Sequence, residues 1–441
     1  MKKFFIIIFS FVAIHSIFAK PDPNKAFYIQ HWKTDNGVPV YFLRRPELKF
    51  ADITVLFAAG SAYDQANLGI ANATSQMISA GTHNKNAMEI AKDFERYGAE
   101  FLAETDRDKT RLSLRTLTTD DILEKNINLF SQIINTPTFP DAELKRIKNE
   151  IVTTIRLQND KPNEFALERF YSVVYQDHPY AHNPLGNEVS IQKLSSTQLK
   201  QFYNQYYNRK NAKIVIAGDM TRNQAKQIAN KLSDNMRPGQ RAKKIKSTPP
   251  LTQSISKFIQ LPTLQSTIIV GRDGVTRQYK KMMALRLANH ILGVLPLDSV
   301  LFKKVRKDEG LVYGVSSHLL PYQSGGVFFV ILQTKNDTAK KAATLTKLEL
   351  NAFSKEPLHP NLLKIAKKQF IDSFPLSLYS NAALIANLEN IAFYNQPLDY
   401  LQTFPDKIKA LNAQDVEAAF NDLNNNHKLV TIIAGGKPQA K

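Results

Sequence analysis

The sequence predicts an α+β protein made of two homologous halves of similar size, and three observations carry that expectation. The segment from Tyr203 to Asp219, a helix followed by Ile214-Val215-Ile216-Ala217-Gly218-Asp219, recurs in plan from Phe420 to Gly436, which closes on Val430-Thr431-Ile432-Ile433-Ala434-Gly435-Gly436. A repeated ending of this kind marks an internal duplication. Between the copies, Arg237 to Pro250 (Arg-Pro-Gly-Gln-Arg-Ala-Lys-Lys-Ile-Lys-Ser-Thr-Pro-Pro) has the composition of an exposed linker. The chain has 441 residues, 43% hydrophobic and 10% aromatic, which is too long for one domain of ordinary size and ample for real cores. The expected layout is a leader at 1–19, a first half at 20–236, the linker at 237–250 and a second half at 251–441.

Taken in order, the chain opens with Met1-Lys2-Lys3 and a mostly apolar run from Phe4 to Ala19. A basic start, a short apolar core and a small residue before Lys20-Pro21 read as a secretory signal, so the expected location is periplasmic. A retained membrane anchor is the alternative. The run is short for a spanning helix and is interrupted by Ser10, His15 and Ser16. In His31 to Leu43, Asp35-Asn36-Gly37 between apolar residues predicts a hairpin. Ile53 to Ala59 reads as a buried strand and Asn86 to Tyr97 as an amphipathic helix closed by Gly98. Glu100 to Ala103 and Thr110 to Leu117 alternate like paired strands. Thr119 to Ile134 is a helix with good N-cap chemistry, and after a Pro-rich break Asp141 to Asn159 is a long one. Past the linker come a strand (Ser266 to Val270), a helix (Tyr279 to Leu292), a strand (Val327 to Gln333), two helices (Thr338 to Phe353, Ala410 to Phe420) and a last strand (Leu429 to Gly436).

The formal net charge is +19, and there is no cysteine. Such a balance favours anionic partners: an acidic protein, acidic peptides or an anionic membrane surface touched peripherally. No nucleic-acid-binding motif is present, and an exported chain rarely meets nucleic acid, so that class is set aside.

The stretch Gly69 to Thr82 reads as a buried helix of small and apolar residues. Asn72, Ser75 and Gln76 sit at i, i+3 and i+4 and share one face. Gly-Ile-Ala-Asn-Ala-Thr-Ser-Gln-Met resembles the segment Gly-Leu-Ala-His-Phe-Leu-Glu-His-Met of the insulinase/pitrilysin-type metallopeptidases, whose inverted zincin motif His-x-x-Glu-His holds zinc. All three chemical residues are replaced: amides and a hydroxyl are poor zinc ligands, and serine is no general base for a metal-bound water. An ordinary core helix is the bland alternative. The likeness extends through His178-Pro179-Tyr180, Gly186, Leu194-Ser195, Phe202-Tyr203, Tyr206-Tyr207 and Asn211 to the strand ending in Gly218-Asp219. In the second half, Leu301-Phe302, Arg306 and Glu309-Gly310-Leu311-Val312-Tyr313-Gly314-Val315 resemble the family's Leu-Phe, Arg and Gly-Leu-Ala-Tyr segment. Two stretches depart from it: Ser299-Val300-Leu301-Phe302 lacks the family arginine, and a glycine-rich loop is reduced to Gly293 through Ser299.

The resemblance implies two halves, each a mainly antiparallel sheet packed with helices, of the kind that form a clam-shaped assembly. It makes Glu143 and Glu150 vestigial positions of the pair whose second member is the third zinc ligand; read as residues alone, they are a charged helix face awaiting a lysine or arginine. His83, His178 and His182 read as surface or capping histidines. Arg306 and Tyr313 are intact, and in the family they face a zinc site contributed by the other chain. The resemblance therefore implies no metal in this chain. It implies a noncatalytic subunit of an exported two-chain zinc peptidase that lends Arg306 and Tyr313 to a homologous His-x-x-Glu-His partner, with zinc in that partner and peptide as substrate. A stand-alone peptide-binding or scaffold protein, and an active peptidase with an unusual metal set, are the alternatives.

Overall fold

The computed structural model describes residues 27–47 and 49–436. The leader expected at 1–19 lies outside them. Eleven strands form two sheets. The first contains β1 (Gln30–Lys33), β2 (Pro39–Arg44), β3 (Phe50–Phe57), β4 (Glu100–Thr105), β5 (Thr110–Leu117) and β6 (Ala212–Gly218), in the order β1-β2-β6-β3-β5-β4. The second contains β7 (Ile255–Gln260), β8 (Gln265–Asp273), β9 (Val315–Pro321), β10 (Gly326–Lys335) and β11 (Val430–Gly435), in the order β7-β11-β8-β10-β9.

The duplication read from the strand endings is visible in the topology. β6 runs parallel to β2 and antiparallel to β3; β11 runs parallel to β7 and antiparallel to β8. All other pairings are antiparallel. The two matched glycines meet the same constraint, since a Cβ on Gly218 would strike the Phe50 carbonyl at the start of β3 and one on Gly435 would strike Ser266 at the start of β8. The hairpin at Asp35-Asn36-Gly37 forms as its chemistry dictates, with Gly37 at φ +82° and its N–H donating to Thr34 O at 2.8 Å. The Asn86 helix, Ala87–Arg96, starts with a reciprocal cap: Glu89 N–H donates to the Asn86 side chain at 3.0 Å and Asn86 N–H to Glu89 Oε2 at 2.8 Å.

The central strands β3, β6, β8 and β11 are buried on both faces, which is why they read as unbroken apolar runs. Along β6, Ile214 and Ile216 enter one core while Val215 and Ala217 enter the other; along β11, Val430, Ile432 and Ala434 alternate in the same way with Ile433. Each core thus draws on both sheets. The covering helices are exchanged between the halves. Helix Pro162–Tyr175, from the first half, packs on β8 and β11, while helix Asn381–Phe393, from the second, packs on β3 and β6.

Polar groups pin the exchanged helices. On the apolar Asn381–Phe393 helix, Glu389 is only 4% exposed, and it accepts from Thr54 Oγ1 at 2.8 Å and from Arg111 Nε at 2.8 and 3.0 Å. Lys213 of β6 donates to the carbonyls of Ala392 and Phe393 and to Asn395 Oδ1, holding the last turn of that helix. In the reciprocal position, Asn163 Oδ1 accepts from Thr267 at 2.6 Å and Gln333 at 2.8 Å, a cross-strand pair of the second sheet. Asp108, in the β4–β5 turn, is fully buried where the halves meet. It accepts from Tyr180 on one side and from Tyr394 OH and Gln323 N–H, both at 2.9 Å, on the other.

The segment expected as an exposed linker is irregular and its lysines are solvent-facing. Its backbone, however, is tied to the body: Ala242 N–H donates to Asn211 Oδ1 at 2.7 Å, and Thr248 N–H to Ser324 O at 3.0 Å. The helix read as Tyr279 to Leu292 is regular only over Met282–Asn289 and then widens into a π-turn, His290–Val294.

Two outcomes are expected. Glu389→Ala leaves Arg111 with Glu104 as its remaining carboxylate, at 2.7 Å, and leaves the buried Thr54 hydroxyl without its acceptor, and should lower the unfolding free energy by about 1–3 kcal/mol in urea titration. Burial pushes the Asp108 carboxyl above its ordinary value of 3.8, so the native state holds that proton more tightly than the unfolded chain. The associated stability is present below the ordinary value and lost as pH rises through the raised one. Asp108→Asn should flatten this decline, seen as urea midpoints that fall less than wild type's as pH is raised from the ordinary carboxylate value.

Candidate functional site

The motif helix spans Ile70–Met77, and every residue in it except Gln76 is buried. Its start is set by Gly69 at φ +87°, a left-handed conformation that also lets Gly69 and Gly186 approach each other's flanking carbonyls: a Cβ on either would come within 2.5 Å of Leu185 O or Leu68 O. Asp64, wholly buried, closes the first turn by accepting from Gly69 N–H at 2.7 Å and Ala71 N–H at 3.0 Å, and His182 Nε2 lies 3.0 Å from the same carboxylate. Nothing in the sequence reading singles out Asp64; its signal is an aspartate just before a helix start.

The helix packs on β4 and on helices Asp141–Asn159 and Ser196–Tyr206. The three motif positions satisfy one another. Gln76 Nε2 donates to Asn72 Oδ1 at 2.8 Å, and Ser75 Oγ, fully buried, donates back to the Asn72 carbonyl at 2.9 Å. On Asp141–Asn159, Glu143 and Glu150 share a face, and Arg146 spans them, with Nε 2.8 Å from Glu143 and Nη1 2.5 Å from Glu150. Those two carboxylates are therefore neutralised within their own helix, as the plain reading of a charged face expects.

This donor set does not fit zinc. The motif face offers amides and a hydroxyl already engaged with each other, Glu150 is held by a guanidinium, and among the described residues no group of three His, Cys, Asp or Glu side chains is placed to hold a metal ion. The histidines do not repair it. His83 is exposed beyond the helix. His178 caps the short turn Pro179–Ala181, with Nδ1 accepting from Tyr180 N–H and Nε2 set on Lys246 O at 2.9 Å, while His182 turns to Asp64.

Arg306 and Tyr313 lie in the second half on an element that the sequence does not announce. Arg306 sits in a π-turn, Phe302–Asp308, where its guanidinium stands 4.9 Å from the Phe302 ring. Gly310 at φ +60° then turns the chain toward β9. Tyr313 is 70% exposed, and neither side chain has an ion pair or side-chain hydrogen bond among the described residues. A π-turn followed by a left-handed glycine is a local irregularity of the kind that gathers at functional sites.

Residues 40–188 match the family profile described as insulinase (peptidase family M16), and residues 193–370 match the one described as the peptidase M16 inactive domain. A crystal structure of a peptidase M16 inactive domain from Pseudomonas fluorescens is 31% identical, superposes with a TM-score of 0.89, and is covered over 99% of its length by 94% of this chain. The chain belongs to the peptidase M16 family. Among similar proteins, an uncharacterized zinc protease of Rickettsia felis is 25% identical over 339 residues, covering 76% of this chain and 81% of that one. A protein of Helicobacter pylori described as a non-peptidase homolog is 23% identical over 387 residues, covering 86% and 87%. The two-half α+β architecture is the M16 fold.

If the donor set is as unfit as its bonding indicates, calorimetric titration of the purified chain with zinc should show no stoichiometric binding. Asn72→His/Ser75→Glu/Gln76→His combined with Arg146→Leu, which releases Glu150, should acquire it.

Proposed function

We propose that this M16 chain is the noncatalytic subunit of an exported two-chain zinc peptidase, supplying Arg306 and Tyr313 to a homologous partner that carries His-x-x-Glu-His. One contrast carries the reading: the residues at 72, 75 and 76 are bonded to each other in a buried helix, whereas the side chains of Arg306 and Tyr313 stand exposed with no hydrogen bond or ion pair among the described residues. The zinc would belong to the partner, where it would activate water against a peptide bond. This chain's part is electrostatic. The Tyr313 hydroxyl donates to the peptide carbonyl oxygen as it gains negative charge, and the Arg306 guanidinium holds a backbone carbonyl or carboxylate of the substrate in place. The leader supports export, and the net charge of +19 supports an acidic partner or substrate, with peripheral contact to an anionic membrane as a further consequence.

A second reading, a stand-alone peptide-binding protein of the M16 fold, is favoured by the Helicobacter pylori relative described as a non-peptidase homolog. Gel filtration separates the two: a monomer or homodimer that captures no His-x-x-Glu-His subunit supports the second.

With a similar-sized exported His-x-x-Glu-His homologue encoded nearby, the mixture should cleave peptides that neither chain cleaves alone. Tyr313→Phe should slow cleavage by the pair about a hundredfold, the scale of losing one oxyanion donor. The melting temperature of the isolated chain should be unchanged, because the hydroxyl is solvent-exposed. An unchanged rate would remove Tyr313 from the shared site.

A further inference from the structure

A groove of about 940 Å³ is lined by no residue of the motif helix and by neither Arg306 nor Tyr313. Its floor is formed by Ala62, Tyr63, Gln65 and residues 175–179 and 205–206 of the first half, and its rim by residues 240–247 and Pro249 of the connecting strap. The strap is anchored through its backbone: His178 Nε2 bonds Lys246 O at 2.9 Å, Ser324 Oγ donates to Ile245 O at 2.9 Å, and the Ile245 side chain is buried. An irregular segment fixed in this way holds the direction of its side chains without spending them on internal contacts.

Those side chains are cationic. Arg241, Lys243, Lys244 and Lys246 are exposed, and none forms an ion pair among the described residues; the one carboxylate lining the groove there is Asp177. Opposite them, Tyr63 and Tyr206 pack ring against ring at 5.0 Å and give an aromatic floor. Gln176, Gln205 and Gln240 line the same space with side-chain amides that carry no hydrogen bond among the described residues. An amide presents one acceptor and two donors, the complement of a peptide backbone. Gln65 and Gln176, both in the lining, adopt φ of +53° and +52°, a conformation that costs a non-glycine residue and concentrates at binding surfaces.

We propose that this strap groove binds an acidic, extended peptide segment. The amides take its backbone, the tyrosine floor takes its apolar side chains, and the strap cations take its carboxylates. The groove's size falls within the range of ligand sites, roughly 300–1,000 Å³, and its walls are apolar between the polar groups, as such sites are. The assignment is independent of the two-chain reading and uses neither Arg306 nor Tyr313.

Fluorescence anisotropy with a labelled, amidated Glu-Phe-Glu-Phe-Glu peptide tests it, beside the same peptide with glutamine for glutamate. The acidic peptide should bind and should weaken as salt is raised, since exposed charges are screened; the glutamine version should bind at least about tenfold more weakly. Lys243→Glu/Lys244→Glu should lose about tenfold or more of the affinity. Lys340→Glu/Lys364→Glu, which changes the net charge equally on exposed sites far along the chain, should retain it. Gln176→Gly keeps the backbone turn and removes one amide, and should weaken binding without altering the salt dependence. Equal losses in the two charge-reversed variants would reduce the effect to net charge and overturn the assignment. So would equal binding of the glutamine peptide, or displacement by a single-stranded oligonucleotide as readily as by unlabelled peptide. None of these results bears on whether Tyr313 contributes to peptide cleavage, so the two readings fail separately.

Discussion

A carboxylate that never meets solvent holds the halves of this protein in register. Asp108 sits in the β4–β5 turn and takes hydrogen bonds from Tyr180 of its own half and from Tyr394 and the Gln323 backbone of the other. The approach of that turn requires Gly60, where any Cβ would collide with the Asp108 backbone. Around it, Arg107 lays its guanidinium 3.8 Å over the Tyr171 ring and donates to Tyr180 O, and Tyr171 bonds Tyr322 across the junction at 2.7 Å. A buried network of this kind tolerates few alternative arrangements, because each unsatisfied member costs its full desolvation. The relative position of the sheets, and so the placing of the motif helix, is set here and at Glu389.

The motif helix and the Arg306–Tyr313 segment sit at opposite extremes of satisfaction. At the motif positions hydrogen bonds are closed inward, amide to amide and hydroxyl to backbone, and on the neighbouring helix Asp141–Asn159 the carboxylates close on Arg146. On the segment, the Arg306 and Tyr313 side chains have no hydrogen bond or ion pair among the described residues. Evolution of a catalytic face into a packing face requires its polar atoms to find partners within the helix, since buried groups left over would destabilise the core. Membership of the M16 family fixes the architecture, while chemistry has to be argued from these atoms.

Much of this was legible in the sequence, and the reasons differ by element. The hairpin at Asn36-Gly37, the capped helix after Asn86 and the helix Asp141–Asn159 were readable because their signals are local: turn chemistry, caps and a 3.6-residue period. The duplication was readable because both copies keep an apolar strand ending in glycine. Neither β7 nor β9 was readable, since Ser256, Lys257 and Phe258 are largely exposed on an edge strand and β9 alternates weakly. The helices Pro162–Tyr175 and Asn381–Phe393 were not readable, since their apolar residues are spread around the helix, and nothing in them marks which sheet they serve. Glu389 resembles any surface glutamate until Arg111, 278 positions away in the chain, is seen beside it. The motif positions were singled out by resemblance and the charged face of Glu143 and Glu150 by helical spacing, whereas Arg146 as its partner and the role of Asp64 come from the structure.

The swapped helices also impose an order of events on synthesis. The first sheet is complete once β6 has been made, yet the helix that roofs β3 and β6 belongs to residues 381–393. Until that stretch emerges, Leu56, Val215 and Ala217 lack the covering they have in the finished molecule. The amino-terminal half therefore waits, sticky and unfinished, for its roof to be delivered by the end of the chain. A polypeptide built this way keeps an apolar sheet face open to misassembly until its last third has been made.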